Sequence, residues 1–415
     1  DSLLAIAFSA DDSRLAAAYG YVAEVWDLTQ EDPPAHKLGP FASGGGWISA
    51  LAVSPDRRWL AIGGGDVRVM LWELTGARTA PTALKGHSAG VNDLAFSVDG
   101  RWLASGSEDA TTRLWDMADP TNPVALLRGQ DLAVRKVLFG PGPAPRHLLP
   151  LGDEPNARLF GIPDSLAAPA VLRGTVGLDI IGMAVSADGR WIGTSSVGDN
   201  RLMLWSASDA RRPRHELPLP TPSHAITFSA DGRWLAAKSQ DQGVISLWRL
   251  ADPAQPPLVL TENEWGDVRT LRFSPDNRWL VSGTWGGKVN LWDVAGDTPA
   301  LEPRHRCNQG EPVREPAFSA DGRHLATAAH GHAARLWDLT ATDPCAAPRT
   351  LPHGNVVYQA VISPDGRWAA TAGFDMMGKL WDLGAGAEPK LVSATAVKDR
   401  VPRRGIHLYR RPAAC

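Results

Sequence analysis

Apolar and polar positions alternate in short bursts along nearly the whole chain, as in "LAIAF" at residues 4–8, "WLASG" at 102–106 and "TRLW" at 112–115. Such period-two runs predict strands with one face against apolar neighbours. Between the first and second burst of most units stands Asp-Gly or Asp-Asn, which favours positive φ and predicts a tight hairpin. The stretch "VNDLAFSVDGRWLASGSEDATTRLWDM", Val91 to Met117, shows the order most completely: strand a, turn, strand b, loop, and strand c ending in an aromatic. A fourth burst, d, follows across a Pro-rich connection such as "ADPTNPVA" or "TATDPCAAP". Proline fixes φ and donates no ladder hydrogen bond, so it suits a stiff link between strands.

The spacing of these bursts is regular. Trp-Asp or a close variant stands at Trp26, Trp72, Trp115, Trp205, Trp248, Trp292, Trp337 and Trp381, with Phe160-Gly161 filling the remaining place. Successive intervals are 46, 43, 45, 45, 43, 44, 45 and 44 residues. A second marker, "FSADGR" and its variants, precedes each aromatic by 17 to 21 residues and is degraded only in the fourth unit, "FGPGPAPR". Self-similarity at this period means an array of small β units that bury their faces against one another.

Nine units of four strands, each with a terminal Trp-Asp or a variant of it, resemble the WD-repeat family, which folds as blades of a β-propeller. The resemblance covers about residues 3–397 and implies an all-β propeller of four-stranded antiparallel blades over residues 1–397, followed by a basic tail at 398–415. A single nine-bladed ring is the first expectation; a seven- or eight-bladed ring with extra blades is the alternative. The family also implies a hydrogen-bonded network of His, Ser or Thr, Asp and Trp. Only the third unit supplies it convincingly, through His87, Ser105 or Ser107, Asp109 and Trp115. Asp66, Asp153, Asp199, Asp241 and Asp375 recur at the turn position without a recognised His partner, and are expected to hold turns through local backbone N–H groups.

Composition narrows the function. With 44% hydrophobic and 21% charged residues the chain reads as globular. Its net charge of −3 provides no field for nucleic acid, so no sequence-specific nucleic-acid partner is expected. The tail is the exception, with Lys398, Arg400, Arg403, Arg404, Arg410 and Arg411 against Asp399. No uninterrupted apolar run of about 18 residues exists, so no membrane span is expected. Cys307, Cys345 and Cys415 are too few and scattered for a disulfide framework, which suggests a cytoplasmic location. In the repeat frame Cys307 falls in a d to a loop and Cys345 in a c to d loop. The family places these on opposite faces, too far apart for a disulfide. Abundant Ala, and Arg in excess of Lys, suggest a bacterial source. The chain enters a strand pattern directly at Asp1, which reads as part of a longer or processed protein. In such bacteria the resemblance implies a fused N-terminal effector domain.

A search for chemistry leaves no catalytic residues, no metal site and no cofactor. "SGGGW" at 43–47 and "GGGD" at 63–66 lack the Lys-Ser/Thr of a phosphate loop and a following helix. His330-Gly331-His332 has no Cys or acidic ligand at a recognised spacing and reads as a loop cluster. The serines belong to the repeated turn. A non-enzymatic protein or peptide interaction platform is therefore the leading function, as the scaffold or sensor part of a signalling protein. An enzyme or small-molecule site in the central channel, and a structural oligomerisation module, are the alternatives. The pattern explains 14 of the 17 tryptophans. The remaining Trp47, Trp265 and Trp285 map to d to a and b to c loops, which the family resemblance places on the narrow top face. Glu264 and Asp267, with Glu262, rim Trp265, and His305 with Arg306 are expected in the next d to a loop. This sector, blades seven and eight, is the candidate partner surface, and the aberrant fourth unit is a second candidate.

Overall fold

The computed structural model describes most residues from 3 to 396. Outside it lie residues 1–2, 9–12, 20–21, 31–34, 39–47, 57, 75–80, 122, 129, 131, 141–146, 153–155, 163–168, 174–179, 197, 210–211, 224, 240–242, 262–267, 376, 385–387 and 397–415. The described strands form nine four-stranded antiparallel sheets, each made of four consecutive strands in sequence order. In the third sheet these are Val91–Phe96, Trp102–Ser107, Thr112–Asp116 and Pro123–Leu127, here strands a to d. Their register sets Leu103 between Phe96 and Trp115. The architecture is an all-β propeller of four-stranded blades.

The repeated turn is a hydrogen-bonded unit. Asp99 accepts from the Ser97 hydroxyl and from the Arg101 N–H at 3.1 Å, while the Trp102 N–H donates to Ser97 Oγ at 2.9 Å. The same bonds recur around Ser54, Ser186, Ser229, Ser274, Ser319 and Ser363. The residue after the Asp has positive φ, 69° at Gly100 and 60° at Asn277, as the Asp-Gly and Asp-Asn pairs require. The Arg that closes the turn lays its guanidinium over the following Trp, at 4.7 Å for Arg101 on Trp102 and 4.9 Å for Arg278 on Trp279.

Packing explains why strand b is built from Ala, Ser and Gly around its first aromatic. All six residues of Trp102–Ser107 are buried. A Cβ on Gly106 would lie 2.6 Å from Val134 Cγ1 of the next sheet, on Gly63 2.7 Å from Val91, and on Gly283 2.5 Å from Val313. The missing side chain thus receives the first residue of the neighbouring strand a, and the sheets approach closely there. The core is divided into wedges between consecutive sheets. One holds Trp59, Leu71, Val91 and Trp115, the next Trp102, Leu114, Val137 and Phe160. Phe160 is therefore a packed substitute for Trp, and the fourth sheet keeps the four-stranded form. A wedge also joins the last sheet to the first, with Leu15, Trp26, Trp368 and Leu380 in contact and Trp26 Nε1 donating to Ser393 Oγ at 3.3 Å.

Two expectations about cysteine are overturned. Cys307 lies in strand d of the seventh sheet, His305–Asn308, where it is only 1% exposed. It forms a disulfide with Cys345, whose Cα is 4.9 Å away. The short d strand extends across residues that the repeat frame had assigned to a loop. Its inner side faces the c to d connection of the next blade, so the two cysteines are neighbours across a wedge. No helix among the described residues is long and apolar enough to cross a membrane.

Candidate functional site

Antiparallel order puts the start of strand a, the end of b, the start of c and the end of d at one edge of every blade. At this edge of the third blade His87 is held at 2.9 Å from Asp109 and 2.8 Å from Ser105, whose Oγ accepts from Trp115 Nε1 at 3.0 Å. A neutral imidazole with the proton on Nδ1 satisfies the whole chain: Trp N–H to Ser, Ser O–H to Nε2, Nδ1–H to carboxylate. The network expected from the sequence is present, with Ser105 rather than Ser107 as its hydroxyl; the Ser107 hydroxyl bonds the Ala89 carbonyl instead.

A second complete network, not expected from the sequence, stands in the last blade. His353 lies 2.9 Å from Asp375 and 2.7 Å from Thr371, which accepts from Trp381 at 2.8 Å. Asp375 is thus more than a local turn residue. The sequence signal was the 22-residue separation that His353 and Asp375 share with His87 and Asp109, hidden because His precedes Gly here instead of following it. In the eighth blade Gln309 takes the His place, accepting from Thr327 at 2.6 Å, and Thr327 accepts from Trp337.

Burial lowers the pKa of both His87 and His353 below the ordinary 6.5, against the pull of their aspartates. Burial pushes the Asp109 carboxyl up, but bonds from Thr111, the Ser88 N–H and His87 outweigh it and hold the group at about 2. The sign follows from linkage. The unfolded imidazoles take up protons near pH 6.5 and the folded ones do so only at lower pH, so stability falls as pH drops through that window. The Asp109 contribution persists until the pH falls below its unfolded value of 3.8. The urea midpoint is expected to drop between about pH 7.5 and 5.5, with a shallower drop in a His87→Gln/His353→Gln variant. Equal slopes in the two proteins would contradict this account.

Beside these networks, the same edges of blades seven to nine carry a continuous row of cationic and aromatic side chains. Trp285, in the b to c turn of the seventh blade, is 51% exposed. The Arg269 guanidinium sits 4.2 Å from its ring centre and His330 packs on it at 5.5 Å. Arg314 donates to His330 Nε2 at 2.7 Å and lies 4.5 Å over Tyr358, which meets Phe374 at 4.3 Å. Phe374 is 48% exposed. Arg269 and Arg314 have no carboxylate within ion-pair distance among the described residues, and Arg314 Nε is buried without a hydrogen-bond partner there. Burial, then the charges of Arg314 and Arg269, lower the His330 pKa, with Glu311 acting in the opposite sense. Neutral His330 can therefore accept from Arg314 while both guanidiniums stay charged. The row offers apolar area at Trp285 and Phe374 and unneutralised positive charge between them.

Of the residues singled out from the sequence, Trp47, Trp265, Glu264 and Asp267 lie outside the described residues. Trp285 is at the expected edge. His305 and Arg306 are not in a d to a loop: both belong to strand d, His305 resting on Trp279 at 5.7 Å and Arg306 pairing with Glu302 at 3.3 Å. Trp279 opens strand b, so His305 occupies the opposite edge of the blade from Trp285. The residues that do meet Trp285 are Arg269, His330 and, through it, Arg314.

A family model described as WD domain, G-beta repeat matches residues 36–73, 79–116, 255–293 and 347–382. No curated protein matches the chain. The matched segments each end at the Trp-Asp or Trp-Glu pair that closes a strand c, on a propeller of four-stranded blades: the chain is a β-propeller that carries WD repeats, consistent with the WD-repeat propeller family.

Proposed function

We propose that this protein is a non-enzymatic platform for protein recognition, with the row from Trp285 to Phe374 as its contact surface and an acidic, partly apolar peptide segment as its partner. The observation that carries the reading is the pairing of half-exposed aromatics with two arginines that lack a carboxylate partner among the described residues. Aromatic and Arg side chains dominate binding energy at interfaces, since they bury much area and keep directional polar groups. WD propellers in general mediate protein interactions, in keeping with this use of the fold. Two carboxylates at the same edge with depressed pKa values, Asp109 and Asp375, are engaged in the Trp networks. We also read the nine sheets as one nine-bladed ring, supported by the apolar wedge between the last sheet and the first. A scaffold role in a larger signalling protein belongs to the same proposal and rests on the fold alone.

The test uses the full chain and two fluorescent peptides of equal length, one alternating Glu with Leu and one alternating Gln with Leu. The Glu peptide is expected to bind more tightly, and Trp285→Ala to weaken it at least about tenfold, or 1.4 kcal/mol. Equal binding of both peptides, or full binding by Trp285→Ala, would overturn the proposal.

A further inference from the structure

The opposite edge of blades seven and eight holds a second cluster, independent of the peptide surface. Two short motifs supply it: His305-Arg306-Cys307 in strand d of the seventh blade, and Asp343-Pro344-Cys345 in the c to d connection of the eighth. Each places two metal-ligating side chains two residues apart. In a strand that spacing turns both side chains to one side, and here it brings His305 and Cys307 to the face that meets the next blade. Donor atoms of His305, Asp343 and Cys345 all lie within 4.8 Å of one another, and Cys307 is bonded to Cys345. The cluster therefore contains two sulfurs, an imidazole nitrogen and a carboxylate oxygen.

We propose that reduction of the Cys307–Cys345 disulfide converts this cluster into a four-ligand site for a zinc-class divalent cation, with Cys307, Cys345, His305 and Asp343 as ligands.

The chemistry balances with a dithiol reductant. One of its thiolates attacks a cysteine sulfur, the S–S bond breaks, and its second thiol closes its own disulfide. Cys307 and Cys345 are left as two thiols. Binding of the cation then releases both thiol protons, because thiolate is the ligand form. Two thiolates with one imidazole and one carboxylate suit a cation of borderline softness in tetrahedral geometry; calcium and magnesium prefer all-oxygen shells. Loss of the covalent bond lets the sulfurs separate towards the spacing that Zn–S bonds of roughly 2.3 Å demand. The surroundings favour order: the His305 ring rests on Trp279, and the Cys345 N–H donates to Asp343 Oδ1 at 3.0 Å. A ligating carboxylate oriented by a backbone N–H is the kind of outer support that metal sites use. Burial of Cys307 in the wedge with Val281, Leu325 and Trp337 ties either state to the packing of the two blades. The seam is then clipped covalently under oxidising conditions and by a metal under reducing ones.

Cobalt(II) is the probe, added to the full chain before and after reduction with a phosphine. The reduced protein is expected to bind about one equivalent with thiolate-to-cobalt charge-transfer bands and the intense visible bands of tetrahedral coordination, and zinc to displace it. The oxidised protein should show neither. His305→Ala and Asp343→Asn leave the disulfide in place when oxidised, so their folding can be verified first; after reduction each should weaken cobalt binding at least about tenfold. Cys345→Ser should lose the charge-transfer intensity of one thiolate. Absence of the bands in reduced protein, or their equal strength in the oxidised protein, would overturn the proposal. Unchanged affinity in both the His305 and Asp343 variants would do the same.

Discussion

Replacing Trp115 with Ala is expected to cost about 3–5 kcal/mol of folding stability, the range for emptying a fully buried large aromatic site. The ring fills the wedge between the second and third blades beside Trp59, Leu71 and Leu94, and strand pairing on both sides of Leu103 limits how far the walls can collapse. A second contribution comes from Ser105, whose Oγ loses the Nε1–H donor while remaining buried and bonded to His87. Trp115→Phe separates the two. Phe160 occupies the equivalent place of the fourth blade and is 3% exposed there, so the propeller tolerates that shape. It should cost less, about 1–2 kcal/mol, for the lost hydrogen bond and the smaller ring. Denaturant unfolding followed by circular dichroism measures both. A loss below about 1 kcal/mol for the Ala variant would mean that the wedge is not what holds adjacent blades together.

Period, strand order and turn chemistry were legible because they act within one blade: alternation, Asp-Gly, and a closing Trp at fixed spacing. The His353–Asp375 network escaped within one blade because its His precedes the Gly, and the rest of what escaped was set between blades. Cys307 and Cys345 belong to neighbouring units, and no within-unit pattern says that a short d strand faces the next blade's c to d connection. His305 and Arg306 were misplaced for a related reason, since four-residue d strands carry too little alternation to mark their ends. The contact surface was partly visible. Trp285 broke the pattern, and its equivalents His330 and Phe374 follow at intervals of 45 and 44 residues. Arg269, Arg314 and Tyr358 recur at the same intervals in strand a. Large cationic or aromatic residues at two equivalent positions in three consecutive blades form a signal that comparison of the units could have found. Reading each unit against the repeat separately could not.

The turn that presents Trp285 depends on Gly287, and Gly287→Ala is expected to destabilise the protein by roughly 2–4 kcal/mol while displacing the indole. Gly287 has φ of 81°, and an added Cβ would lie 2.6 Å from the Glu311 backbone N and 2.9 Å from the Gly310 carbonyl carbon. These are main-chain atoms of the adjoining d to a loop, so no side-chain rotation relieves the contact. The Gln309 N–H, which donates to the Gly287 carbonyl at 2.9 Å, ties the two loops together. Gly310 provides the matched comparison: its φ is 87°, yet a Cβ there would meet nothing within 4 Å. Gly310→Ala should therefore show the conformational cost alone, about 1–2 kcal/mol, and leave Trp285 against Arg269 and His330. The difference between the variants isolates the backbone contact, and the Trp285→Phe difference in fluorescence within each reports whether the indole has moved. Equal stability losses with an unchanged indole signal would show that the turn is positioned by Trp285's own contacts with Arg269 and His330. A larger loss at Gly287, together with weakened binding of the acidic peptide, would make the glycine a positioning residue for the surface, acting through the loop that its missing side chain admits.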